Sequence, residues 1–498
     1  MKLSLINNKG FRWCKYQNIY FKGNFILNNV IYNSNLFNNQ TDQLPKNIIE
    51  NDSLKKTYGQ FLFVVEEGNT IIVITDFLRS FNLFYQKNNS EYIISDLNDK
   101  FNKKDINNSC LDEFTYTGFV TNNNTIYNGV KSLESCRKYI FKNDKVTSLE
   151  YFKFKYDHTA KINCKEKINS IYDAVFKDFI TATKDKTIVI PLSGGYDSRI
   201  IVQYLHKYKV PNKVICFTYG VKGNKESNIS KEVANFYGYE WHFVEYTKSK
   251  WSQSRVLKYV EETFDGVSLP HIQDFIAIKE LKDNKLIPDD AIIVPGHSGD
   301  FIAGSHLNQR VLNCKTREVF VYEILWKNYI LNFSLNFKTL YSLVNKQVEK
   351  YLNNSDYVNS FEEWNFKERQ AKFIVNSVRV YEYFGYEWSI PLWDVRLIEF
   401  WLRVNNQERL NRKLYFEFIS SKDKWHIPEI KTNLVTELKI YKYYLKWARV
   451  IYLNITNSIL NKEHPMGWYG IFNYKFRFSH SSINSLLVKE LEDVVKNK

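Results

Sequence analysis

Short apolar runs and helix-spaced apolar residues alternate along the middle of this chain. Thr187–Leu192 is an apolar run rich in β-branched residues and reads as a buried strand. Behind it Ile200, Ile201 and Leu205 recur at helical spacing, so the order there is strand, turn, helix. Lys213–Tyr219, Trp241–Tyr246 and Asp290–Pro295 read as three further strands. Ile168–Ile180 and Ser230–Tyr237 read as helices, the second stopping at Gly238, a residue suited to the left-handed turn past a helix end. The alternation predicts an α/β unit, a doubly wound parallel sheet with helices on both faces. Ligands on such sheets sit beyond the C-terminal ends of the strands. That rule gathers the loops Ser193–Ser198, Phe217–Gly223 and Gly296–Gly304 in one place.

The flanks read differently. Residues 1 to about 155 carry strand-like runs, among them Phe61–Val65 and Thr70–Thr75 joined by the hairpin signal Glu66-Glu67-Gly68-Asn69, then Leu83–Tyr85 and Glu91–Ser95. From about Thr316 the chain reads as mostly helical and rich in aromatics. Lys439–Ile455 is basic and amphipathic, and is expected to be a half-buried helix with its lysines outward rather than a membrane contact. The polar stretch Lys153–Lys167 marks a boundary, giving a β-rich domain over 1–155 and a second domain over 165–498, α+β overall.

Composition narrows the function classes. At 498 residues and 44% hydrophobic the chain has material for more than one core. The net charge of +15 is spread without a dense basic block, which reads as a solvated surface and not as a nucleic-acid footprint. No apolar stretch reaches membrane-spanning length and no signal-like run opens the chain. Six scattered cysteines without a CxxC pair argue against a zinc knuckle or a disulfide framework and fit a reducing cytoplasm.

The candidate chemistry lies in the turn after the first parallel strand. Two adjacent glycines, Gly194 and Gly195, allow close backbone approach to a ligand, and the helix behind them offers unpaired N–H groups. Ser193 and Ser198 add hydroxyls. Together these form an anion pocket. Asp197 fits such a pocket only if a cation such as Mg²⁺ sits between it and a phosphate. The loop GHSGDFIAG supplies a second carboxylate, Asp300, so that two aspartates on adjacent loops can hold one metal ion. No Lys-Ser/Thr closes the first loop, which excludes the kinase-type phosphate loop.

SGGYDS resembles the pyrophosphate loop of the ATP pyrophosphatases. Followed in order by CFTYGVKGNKESNISKEVANFYGYEWHF, GHSGD and EWSIPLWDVRLIEFW, it resembles the synthetase domain of the asparagine synthetases and β-lactam synthetases. Tyr58–Tyr85, with Asp76, Arg79 and Leu83–Tyr85, and Thr117–Phe141 resemble the class II glutamine amidotransferase domain that precedes it, a β-rich sandwich. In that family the nucleophile is an N-terminal cysteine, whereas here the chain begins Met1-Lys2-Leu3-Ser4. Cys14, internal and without a free amine to act as its base, is expected to be an ordinary core or surface residue. Residues 1–155 are therefore expected to lack glutaminase activity and to serve as a packing partner.

The resemblance implies an ATP-dependent ligase that adenylates a carboxylate, releases pyrophosphate, and passes the acyl group to ammonia or another amine. The resemblance implies a small-molecule or sugar carboxylate as the acid. Ser193, Gly194, Gly195, Asp197, Ser198 and Asp300 map onto the pyrophosphate and Mg²⁺ site, and Leu192, Tyr219 and Gly296 onto positions flanking adenosine. Lys413 falls where the family has a lysine near the reacting phosphate, and Glu387 on the glutamate of an ExRxPFLD pattern whose arginine is Ser389 here. His297 stands where asparagine synthetases carry glutamate and β-lactam synthetases tyrosine. It can take a proton from the attacking amine. His306 reads as a loop histidine. Asparagine synthesis itself, a tRNA-modifying ATP pyrophosphatase and an inactive nucleotide-binding protein remain as alternatives.

Overall fold

The computed structural model describes residues 1–45, 47–89, 91–157, 164–250, 253–329, 331–332, 337–352, 356–422, 448 and 483–496. Nearly all of the stretch Lys439–Ile455 lies outside them. Among the described residues, no helix is long and apolar enough to cross a membrane.

The N-terminal part is built from β1 (Lys2–Ser4), β2 (Cys14–Tyr16), β3 (Ile19–Leu27), β4 (Val30–Asn33), β5 (Tyr58–Glu67), β6 (Thr70–Thr75), β7 (Phe84–Asn88), β8 (Glu91–Ser95), β9 (Val130–Ser132), β10 (Arg137–Lys142) and β11 (Lys145–Glu150). They form a four-stranded sheet, ordered β1-β8-β7-β9, and a seven-stranded sheet, ordered β11-β10-β6-β5-β3-β2 with β4 on β3. β5 and β6 pair antiparallel with Glu67 opposite Thr70, so Gly68 and Asn69 make a two-residue turn, Gly68 at a φ of 56°. The sheets meet through aromatic rings: Tyr85 of β7 and Tyr92 of β8 lie 5.2 and 5.5 Å from Phe141 of β10. Cys14 opens β2, and burial raises its thiol above the usual range, the reverse of an activated nucleophile.

The second part holds a five-stranded sheet of β12 (Ile188–Pro191), β13 (Val214–Gly220), β14 (Glu240–Glu245), β15 (Ile292–Ile293) and β16 (Glu387–Trp388). Its order is β14-β13-β12-β15-β16 and every pairing is parallel. Strand order reverses between β12 and β15, which makes the crevice beyond their C-terminal ends the place for a ligand. The doubly wound α/β prediction holds, with β15 shorter than the run Asp290–Pro295 and with β16 as an edge strand that hydropathy did not reveal. The helix Lys225–Tyr237 starts under an Asn224 cap and ends at Gly238, whose φ is 72°.

Beyond the sheet the described chain is helical. One continuous helical run, Tyr357–Tyr383, changes winding on its way. It is α-helical to Trp364, π-helical over Asn365–Ile374, tight over Val375–Val378 and α-helical again from Arg379. The two parts share one apolar core, and polar groups close their seam. Glu387, at the start of β16, accepts from Asn33 Nδ2 at 3.0 Å, Asn35 Nδ2 at 2.8 Å and Lys186 Nζ at 2.7 Å.

Candidate active site

Three loop systems meet above β12 and β15. After β12, the two serines tie the glycine turn into a closed shape. Ser198 Oγ accepts from Ser193 N, Ser193 Oγ accepts from Gly195 N, and the hydroxyls lie 3.2 Å apart, all three distances being 3.2 Å. The helix Tyr196–Lys207 follows at once, and no side chain caps its first N–H groups. An uncapped start of a twelve-residue helix directs positive charge at the space in front of it.

The loop after β15 lies directly on this turn. A Cβ at Gly296 would stand 2.4 Å from Ser198 N, and one at Gly299 would stand 3.2 Å from Asp197 Cγ. Only glycine permits this approach at Gly296. The contact sets Asp300 beside Asp197: Asp197 Oδ2 accepts from Asp300 N at 3.0 Å, and Oδ1 accepts from Tyr415 OH at 2.7 Å. Burial, then the Asp300 carboxylate, push the Asp197 carboxyl well above the usual carboxylate range. Arg412 lies beside the pair, with Nη1 3.7 Å from Asp300 Oδ2, and the Asp300 carboxylate also acts on Arg369 across the cavity.

These groups line a cavity of about 970 Å³. Its far wall comes from the long helical run, with Arg369, Phe373, Ser377 and Tyr381 at every fourth position. On another side Asp274 accepts from the hydroxyls of Tyr219 and Tyr381, and Tyr219 stacks on Tyr246 with centroids 4.9 Å apart. His271 packs against Phe373, and burial with the nearby His297 and Arg369 pushes its imidazole down to about 3.

His297 is held by Ser377, with Nε2 2.7 Å from Oγ. Ser377 Oγ also lies 2.7 Å from the carbonyl of Ile374. A hydroxyl has one proton, and the carbonyl can only accept. Ser377 therefore donates to Ile374 and accepts from His297, so the network assigns the proton to Nε2 and the lone pair to Nδ1. Burial lowers the imidazole below its ordinary value despite Asp274 and Asp300, so the ring is neutral at neutral pH.

Of the residues singled out from sequence, Ser193, Gly195, Asp197, Ser198, Tyr219, Gly296, His297 and Asp300 line this one cavity. Leu192 and Gly194 do not. Leu192 is buried with its carbonyl taken by Thr218, and the Gly194 carbonyl accepts from Arg199 Nη2 at 3.3 Å. Two catalytic candidates are displaced. Glu387 sits level with Ile188, at the opposite end of the sheet from the glycine turn, where the seam residues occupy it. Lys413 is exposed at the start of its helix, and the neighbouring Arg412 reaches the cavity instead. His306 lies away from the cavity walls, 2.6 Å from Glu362 Oε1. Sequence reading missed Asp274, Arg369, Ser377, Tyr381 and Arg412. The spacing of Arg369, Ser377 and Tyr381, in multiples of four residues, is the one signal that was there to find.

The model of the asparagine synthase family matches residues 180–435, just over half of the chain. The chain belongs to the asparagine synthase family. The matched region contains every cavity residue named above. A curated relative, a probable glutamine-hydrolysing asparagine synthetase of Acanthamoeba polyphaga mimivirus, is 26% identical over 129 residues, a match covering 25% of this chain and 23% of that protein. Among solved structures, the U34-tRNA thiolase NcsA of Methanococcus maripaludis superposes with a TM-score of 0.24 at 12% identity, over 68% of this chain and 83% of that one. The NH3-dependent NAD synthetase of Campylobacter jejuni gives 0.20 at 13% identity, over 28% and 60%.

Proposed function

We propose that this member of the asparagine synthase family is an ATP-dependent ligase that activates a carboxylate as its adenylate and converts it to an amide. The observation that carries the reading is the meeting of Asp197 and Asp300 over a glycine turn and an uncapped helix start, at the switch point of a parallel sheet. The turn and the helix N–H groups hold the pyrophosphate part of ATP. Tyr219 and Gly296 flank the adenosine side. The substrate carboxylate attacks the α-phosphorus, forming the acyl–oxygen–phosphorus bond and releasing pyrophosphate. The amine then attacks the acyl carbon, and AMP leaves. Arg412, beside Asp300, faces the charge that grows on the leaving group. His297 Nδ1 takes the proton lost by the amine.

The residues fit Mg²⁺. Two adjacent carboxylates at the cavity wall, with an arginine 3.7 Å from one of them, leave negative charge that a divalent ion would neutralise. Among the described residues no group of three acidic, histidine or cysteine side chains could hold the ion alone, so Asp197 and Asp300 would share it with phosphate oxygens. Bound there, the ion would offset charge on the departing pyrophosphate. The N-terminal sheets act as a packing partner without glutaminase chemistry, in keeping with the raised thiol of Cys14.

ATP–pyrophosphate exchange over a panel of carboxylic acids tests the reading. Exchange is expected with one acid class and is lost, by about three orders of magnitude, in Asp197→Ala. Binding of ATP with no exchange for any acid would end it.

A further inference from the structure

We infer that Gln370 is a positioning residue, which through Ser298 fixes the backbone of the loop that carries His297 and Asp300. This rests on the ligase reading above. Ser298 lies between those two groups in the chain and has a φ of 64° and a ψ of 5°. L-residues adopt that left-handed conformation reluctantly, and a serine keeps it only where contacts hold it. Ser298 Oγ donates to Gln370 Oε1 at 2.8 Å, and both side chains are buried. Neither group can turn to water instead, so removing one leaves the other unsatisfied.

The winding of the long helical run supplies the acceptor. Gln370 Nε2 donates to Asn365 Oδ1 at 3.3 Å, five residues earlier in the chain. In α winding, side chains five apart point about 140° away from each other. Asn365–Ile374 is π-helical, which brings positions five apart onto one face and lets the two amides meet. Further along, the same run holds His297 through Ser377. Two successive loop residues are thus tied to one helical run.

The tie sets the meeting of the two aspartates. The left-handed step at Ser298 turns the chain under Asp197. Gly299 then passes so close that a Cβ there would stand 3.2 Å from Asp197 Cγ, and Asp300 N donates to Asp197 Oδ2 at 3.0 Å. A right-handed Ser298 would send the next peptide elsewhere and part the carboxylates that are to share a metal ion. Neither Ser298 nor Gln370 lines the cavity, so their effect reaches a ligand only through the loop.

The test separates the backbone state from the hydroxyl. Ser298→Ala removes the bond and keeps the demand for a positive φ, whereas Ser298→Gly removes both. The full chain is titrated with ATP and Mg²⁺, and acid-dependent ATP–pyrophosphate exchange is followed. Ser298→Ala and Gln370→Leu should each weaken ATP binding and slow exchange on the order of tenfold, with the KM for the acid changed less than about twofold. Ser298→Gly should keep at least about half of the exchange rate and of the affinity for ATP. In the Ser298→Gly background, Gln370→Leu should cost less than about a further twofold, because the two residues act as one unit. Wild-type behaviour of Ser298→Ala overturns the inference, and that variant leaves the packing of the helical run untouched. Equal impairment of Ser298→Gly and Ser298→Ala overturns it too, since the hydroxyl and not the backbone would then matter. A full loss on Gln370→Leu in the glycine background makes Gln370 a packing residue. Absence of exchange with every acid in wild type, with ATP still bound, brings down the ligase reading itself, and the same ranking of variants in ATP binding then decides the tie alone.

Discussion

Glu368 is a buried acid and Asp197 a half-buried one, and the chain treats them in opposite ways. Glu368 accepts from Lys372 Nζ at 2.6 Å, from Asn122 N at 2.9 Å and from the Tyr351 hydroxyl, with Lys350 3.3 Å away. Burial alone would raise its carboxyl, but Lys372 and Lys350 override that and pull it down to about 2. Asp197 has a tyrosine, a backbone N–H and a second aspartate, and its carboxyl is pushed up. A charge that serves the fold is completed by the fold. A charge that serves a ligand is left for the ligand to complete.

The difference should appear first in stability. Glu368→Gln removes the counter-charge of a buried lysine and is expected to lose about 3–5 kcal/mol in denaturant unfolding at pH 7. Asp197→Asn removes one of two like charges and should leave the midpoint unchanged or raise it. Equal losses in both would break the comparison. The pH limbs differ in sign. The folded carboxyl of Glu368 lies below its ordinary 4.5, so its contribution is present above pH 4.5 and is lost as pH falls toward 2. The carboxyl of Asp197 lies above its ordinary 3.8, so the folded state is favoured below that pH and loses the advantage as pH rises through the raised value. Glu368→Gln should flatten the acid limb.

The same contrast explains what could be read from the sequence. The parallel strands and the glycine turn were legible because local pattern decides them: a β-branched run must be buried, and SGGYDS follows one. Asp197 and Asp300 could be paired from sequence because the rule for strand ends places both loops together. Glu387 was misplaced for a physical reason. A motif names a residue but not the end of the strand that carries it, and here the seam asparagines and Lys186 take the carboxylate. Arg369 and Ser377 carried only a helical spacing, and the change of winding between them obscures which face that spacing presents.

His297 offers a sharper and smaller test. Ser377→Ala removes the acceptor that keeps the proton on Nε2, so the free base at Nδ1 is no longer enforced. Amide formation should slow on the order of tenfold, while acid-dependent exchange, which precedes the proton transfer, stays at the wild-type rate. Because burial holds the imidazole below its ordinary value, the wild-type amide-forming rate should rise through that lowered pKa and be flat by neutral pH. Ser377→Thr keeps an accepting hydroxyl and should recover most of the rate. Equal slowing of both steps would make Ser377 a packing residue.

The smallest effect is expected at Lys413, and its value lies in its neighbour. Asn411 and Arg412 both have positive φ, 55° and 59°, so the backbone makes an unusual double turn before the helix Lys413–Lys422 begins. L-residues adopt that conformation reluctantly, and two in succession persist only where surrounding contacts hold them. The turn carries Arg412 toward Asp300 and leaves Lys413 on the surface. Lys413→Ala should therefore change the KM for ATP and the exchange rate less than about twofold, as surface substitutions do. Arg412→Ala should slow exchange about tenfold, since it removes a cation 3.7 Å from Asp300. A reversal, with Lys413 critical and Arg412 dispensable, would mean that the turn unwinds when ATP binds and that Lys413 becomes the phosphate-facing cation.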